Sequence, residues 1–107
     1  MSTYSTQLFA GQPTSGTQGL YVVPSGYVVV VRDVELYAID GGGTIYIAVW
    51  TSSGTSLGQL VAWQSPQPQT HMQWSGRVVM DFGQQLVYQS TSGRTEVLAS
   101  GYLLTAA

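Results

Sequence analysis

The chain contains no cysteine, no lysine and no asparagine. Without cysteine there can be no disulfide framework and no thiolate metal site, and the redox compartment stays undetermined. Without lysine the positive charge rests on three arginines, set against five acids, and the formal net charge is −2. That balance cannot make the basic stripe that nucleic-acid binding needs, nor a polybasic patch for an anionic membrane. Neither partner is expected. Charged residues are 7% of the chain, against about 25% in ordinary soluble domains. Long apolar runs are missing too, since none approaches the ~20 residues of a membrane-spanning helix. The opening "MSTYSTQLFAGQ" has neither the basic stretch nor the apolar segment of a secretory signal. The expectation is a soluble chain that is not exported by that route. Helix signals are also scarce: Gly or Pro interrupts every window in which apolar residues could recur at three and four.

What is present is β chemistry. Ser, Thr, Gln and Gly supply 47 of the 107 residues, so the surface must be polar but largely uncharged. Val, Ile, Thr, Tyr and Trp dominate the rest, with turn residues every 8 to 12 positions or so, which predicts an all-β antiparallel sandwich, jelly-roll-like, of about 8–9 strands. The length fits one domain over 1–107, large enough to bury roughly two-thirds of its unfolded surface without metal or disulfide. The polar, turn-rich residues 1–18 read equally as an extended N-terminal arm and as an ordinary loose terminus. Strands are expected near residues 6–10, 20–24, 27–40, 44–52, 59–64, 71–74, 77–80, 84–90 and 95–105. The punctuation supports this. Pro24 and Gly26 in "VPSG" suit a type I turn, and the two prolines of "SPQPQT" put residues 65–70 in a surface loop. "MDFGQQL", residues 80–86, reads as a tight corner. "DGGGT", residues 40–44, reads as a hairpin loop between two apolar runs.

That hairpin raises the main question. If Asp40 faces Thr44, one face carries Val34, Leu36, Ala38, Tyr46, Ala48 and Trp50. The other carries Glu35, Tyr37, Ile39, Ile45, Ile47 and Val49. Both faces are largely apolar. Leaving Tyr37, Ile39, Ile45, Ile47 and Val49 in water would forgo roughly 1.5–3 kcal/mol each, a sum that rivals the whole stability of a small domain, about 5–15 kcal/mol. Something should cover that face: the N-terminal segment, a second sheet, or another protein chain. These five residues are the candidate subunit or particle interface.

Catalytic and cofactor chemistry is not encoded. His71 is the only histidine, and a lone His with no carboxylate near it in sequence is commonly a packed or solvated side chain. Asp33 and Glu35 lie two apart on one strand and share a face, a pair that could bind a cation or do acid–base work. Arg32 beside them, and the lack of a third acid nearby, favour plain solvated or ion-paired residues. Asp40 and Asp81 sit where turns favour aspartate. "GGGT" lacks the lysine of a phosphate loop. No cofactor, no metal and no enzyme activity are expected. The aromatics offer one alternative: Trp63 and Trp74 flank the proline loop and could form an exposed platform for a glycan, whereas Trp50 reads as core.

Three segments, "VPSGYVVVVRDVELYA", "QWSGRVVMDFGQQLVY" and "SGYLLTA", resemble small β-sandwich virion proteins of tailed phages infecting actinobacteria. In such proteins a Val-Pro-x-Gly turn leads into a Val-rich strand ending in Arg-Asp, a Trp-x-Gly-Arg-x-Val segment precedes a Gly corner, and Ser-Gly-Tyr closes the chain. The similarity spans Val23 to Ala107 in three blocks and leaves out the first 22 residues and Thr51 to Thr70. It implies a structural role as a head decoration or minor tail component, made in the host cytoplasm and located in the virion. The implied partners are further copies of the chain and the major capsid or tail proteins. It supplies no catalytic residues. A glycan-binding accessory module, reading a host surface glycan through Trp63 and Trp74, is the other expectation.

Overall fold

The computed structural model describes residues 3–13 and 15–105, with side chains from Gln7 onward. Among them are eight strands and no helix: β1 (Thr3–Gly11), β2 (Gly16–Val22), β3 (Tyr27–Ala38), β4 (Thr44–Trp50), β5 (Ser56–Gln64), β6 (Thr70–Met80), β7 (Gln85–Ser90) and β8 (Thr95–Thr105). The pairing is nested and antiparallel. β1 pairs with β8, β2 with β7, β3 with β6, and β4 with β5. Two further pairings, β3 with β8 and β4 with β7, close the strands into two sheets, β1-β8-β3-β6 and β2-β7-β4-β5. A long hairpin rolled up in this way is an eight-stranded jelly roll. The expected fold class is the observed one.

Two sequence expectations need correction. Residues 71–74 and 77–80 were expected as separate strands around Ser75 and Gly76, yet β6 runs through them. The reason is local packing: a Cβ on Gly76 would stand 2.8 Å from Cζ2 of Trp74, so the indole of Trp74 lies over the glycine and fills the place of the missing side chain. The second correction concerns the glycine loop. β3 and β4 do not pair; they belong to opposite sheets, and Gly41 to Gly43 carry the chain across between them. Three successive residues with φ of 72°, 73° and 68° make that crossing, a backbone path that side-chain-bearing residues adopt only at a cost.

The crossing answers the question of the second face. Val34, Leu36 and Ala38 of β3 point into the sandwich from one sheet, and Ile45, Ile47 and Val49 of β4 point into it from the other. Each set covers the other. Val34, Leu36, Ile45, Ile47 and Val49 join Val29, Val31, Met80, Leu86, Tyr88, Val97 and Ala99 in one core cluster. β3 switches phase part-way along. Val31 and Asp33 face Gly101 and Ser100 of β8, so Arg32 is an extra, bulged residue. The bulge lets Val29 and Val31 face inward before it, and Val34, Leu36 and Ala38 after it.

Within and beyond the stretch that reads equally as an arm and as a loose terminus, Thr3–Gly11 is the edge strand beside β8 and Gly16–Val22 is the edge strand beside β7.

Candidate assembly surfaces

The two outer faces differ in chemistry. Sheet β2-β7-β4-β5 contains no charged residue in any of its four strands. Its outer face carries Tyr46, Ala48 and Trp50 from β4, beside Gln85, Val87 and Gln89 from β7. Ala48 and Val87 are opposite one another and buried, although they lie outside the core cluster. The larger side chains two residues away on each strand close over them. The glutamines are tied down: Gln89 Nε2 donates to Thr17 Oγ1 at 3.3 Å, and Gln85 Nε2 donates to the Thr51 carbonyl at 3.3 Å.

The opposite face, on sheet β1-β8-β3-β6, holds the strand-borne charges Arg32, Asp33, Glu35, Arg77 and Glu96. Asp33 and Glu35 do project from one face, and Asp33 Oδ1 accepts a 2.8 Å hydrogen bond from Ser75 Oγ across the strand pair. Their placement is that of solvated, cross-strand-bonded carboxylates. Among the described residues no cluster of three or more His, Asp or Glu is placed to hold a metal ion. His71 is exposed, and its ring stands 4.5 Å from that of Tyr37. Val30 also faces outward yet is only 6% exposed, flanked by Val79 and Tyr102, its partners on either side.

The five residues named as an interface are divided by the fold. Ile45, Ile47 and Val49 lie in the core, covered by the opposite sheet. Tyr37 is half-buried on the outer face of β3, and Ile39 is half-buried just past that strand's end. Trp63 and Trp74 occupy different sheets, on the edge strands β5 and β6, and both pack partly buried against the core. Trp50 is on the outer face instead of in the core, where its register partners are Gln85 and Ser56.

The two ends of the sandwich also contrast. At one, the β3–β4, β5–β6 and β7–β8 loops are knitted by backbone hydrogen bonds: Gly42 to Pro66, Ser65 to Gly43, Thr91 to Thr44 and Gln69 to Ala38. There the Arg94 guanidinium grips Asp40 with both prongs, Nε to Oδ2 at 3.0 Å and Nη2 to Oδ1 at 2.9 Å, while the Arg94 backbone N–H also donates to Oδ2. These bonds from Arg94 hold the Asp40 carboxyl below its ordinary pKa.

The other end sets large apolar side chains among polar turn residues. Val22, Leu57, Val79 and Phe82 are all exposed there. Beside them, between the unpaired edges of β5 and β6, is a cleft of about 410 Å³ walled by Val49, Leu57, Leu60, Trp74 and Val78. Sequence reading missed this end. The one signal for it was an aromatic, Phe82, at the tip of a turn that the chain could have built from polar residues.

No family model matches the chain, and no curated protein matches it. Solved structures do. A chain in the acid-stable capsid structure of the Helicobacter pylori bacteriophage KHP30 superposes with a TM-score of 0.59 at 14% identity. That match covers 98% of this chain and 95% of the other. A chain of the T13 IBDV viral particle gives 0.58 at 9% identity, and here the match spans 97% of this chain but only 31% of the viral one. A pentameric capsid protein isolated from metagenomic phage sequences gives 0.50 at 18% identity, covering 91% of this chain and 59% of its own. The likeness is one of fold. All three share the jelly roll, and this chain spans about a third of the IBDV protein's length.

Proposed function

We propose that this chain is a non-enzymatic structural protein of a phage virion, one that self-associates or docks on the capsid or tail surface as a decoration or minor structural component. The observation that carries the reading is the match to the KHP30 capsid-structure chain, which covers 98% of this chain and 95% of the other. A jelly roll alone does not decide function, because lectin and cupin domains use it as well. The surface supports a structural role. One whole sheet is free of charge, and one end exposes four large apolar side chains. Depletion of charge with aromatics on display is the composition of an interface core. The sequence resemblance to virion proteins of tailed phages of actinobacteria supports the host range, and assembly in the host cytoplasm follows from that role.

Light scattering after size exclusion, across a range of concentrations, tests the reading. A closed oligomer, or a mass that climbs with concentration, is expected. A monomer at every concentration removes self-association and leaves only docking on another virion chain. The glycan reading has less support, because Trp63 and Trp74 are at the rim of the core on separate sheets. Unchanged tryptophan fluorescence on titration with host cell-wall polysaccharide is the expected outcome.

A further inference from the structure

We infer that Phe82 is a knob that inserts into the β5/β6 cleft of a second copy of this chain; the inference rests on the self-associating role proposed above. Phe82 is 67% exposed, the most exposed large apolar residue among those described. It stands at the tip of a braced turn. The backbone N–H of Gln84 donates to the Asp81 carbonyl at 3.0 Å, Gln84 Oε1 accepts from the Asp81 N–H at 2.9 Å, and Val23 exchanges backbone bonds with Gly83 and Gln84. A rigid turn holding an aromatic ring out in water gains nothing for the monomer. Such a ring loses little on association, because the turn is already ordered.

The cleft is its complement. Leu57, Leu60, Trp74 and Val78 give it apolar walls, Gln59, Gln84 and Asp81 contribute a polar share, and Asp81 is its one charged lining residue. Its volume of about 410 Å³ is ample for one aromatic side chain. It opens between two strand edges, and the exposed Leu57 and Val79 are part of its lining. An anionic partner segment would find no counter-charge on its walls and would be desolvated unpaired. An apolar knob is present on the same molecule, beside the cleft: Asp81 and Gln84 line the cleft and Phe82 lies between them. Knob and hole on one patch are self-complementary about a twofold axis, so each copy can fill the other.

Two variants separate knob from hole. Phe82→Ala removes the knob at an exposed position. Gly58→Phe fills the hole from within, since Gly58 lines the cleft, has no left-handed φ, and a Cβ there meets nothing within 4 Å. Both should keep the wild-type thermal midpoint. Each should weaken self-association in light scattering by at least about tenfold, the equivalent of a modest interface hot spot. Mixed together, the two should associate with one another, because Phe82→Ala retains an open cleft and Gly58→Phe retains the knob. If either folded variant associates like the wild type, this contact is wrong while the structural role stands. If the wild type is monomeric at every concentration, the contact and the self-associating role fall together.

Discussion

A Cβ placed on Gly101 would overlap the carbonyl oxygen of Val30. The two residues lie on neighbouring central strands, β8 and β3, next to the place where Arg32 bulges out of β3. The bulge draws the β3 backbone onto β8, and only a residue without a side chain can sit beneath it. Gly101→Ala therefore has no rotamer that relieves the clash and must shift one of two central strands. We expect a loss of about 3 kcal/mol or more, at or beyond the usual upper end for overpacking. Urea unfolding read by tryptophan fluorescence checks it; a midpoint within error of wild type would show that the strands do not approach so closely.

Gly76 and Trp74 make a milder version of the same relationship. Gly76 has an ordinary φ, so the backbone accepts alanine, but the new Cβ would displace the indole by coming within 2.8 Å of Cζ2. Gly76→Ala should cost about 1–2 kcal/mol and shift tryptophan emission to the red as the ring swings toward water. In a Trp74→Leu background the same change should be nearly neutral. A double-mutant cycle measures the coupling, and additive effects would show that the ring does not rest on the glycine.

How much of this was legible in the sequence varied with range. Strand positions and turns follow from residues close together in the chain, so β4, β7 and β8 and the Met80–Leu86 corner were readable from alternation and punctuation. The Gly41–Gly43 loop was not, because a hairpin turn and a sheet-to-sheet crossing use the same residues. Which one forms depends on β8 claiming β3 and β7 claiming β4 from far along the chain. The faces of β4 were ambiguous for a related reason: Ile45, Ile47 and Val49 alternate with Tyr46, Ala48 and Trp50, and both sets are apolar. Tertiary context put the branched aliphatics inside and left the aromatics to roof the small residues outside. The bulge at Arg32 did leave a trace, since Val29 and Val31 are separated from Val34, Leu36 and Ala38 by a step of three, a phase slip no regular strand makes.

The Asp40–Arg94 pair gives the protein an acid-sensitive end. Asp40 has its pKa lowered from an ordinary 3.8 by its hydrogen bonds to Arg94. A carboxyl whose folded pKa lies below its unfolded one stabilises the fold above the unfolded value, and that contribution fades as pH falls through the folded value. The wild type should therefore exceed Asp40→Asn in thermal midpoint at pH 7, with the gap closing below about pH 3.8. Because both side chains reach solvent, the gap at pH 7 should be small and should shrink with added salt. Melting curves of both proteins from pH 7 to pH 2 decide it; a gap that persists at pH 2 would mean that the aspartate contributes through something other than its charge.

Tyr88 carries a cost the core does not need. Its ring is fully buried on the inner face of β7, and its hydroxyl has no hydrogen-bond partner among the described residues. A buried hydroxyl left unpaired costs about 1–3 kcal/mol, while the ring around it contributes a large apolar area. Tyr88→Phe keeps the ring and removes the stranded oxygen, so stability should rise by about 1 kcal/mol, the void left by one atom offsetting part of the gain. Tyr88→Ala should instead lose about 3–5 kcal/mol, as other large aromatic truncations do. Urea midpoints at constant slope separate the two effects. A Tyr88→Phe protein less stable than wild type would overturn the assignment, since it would mean that the hydroxyl is bonded in solution, through a buried water or a shifted neighbour.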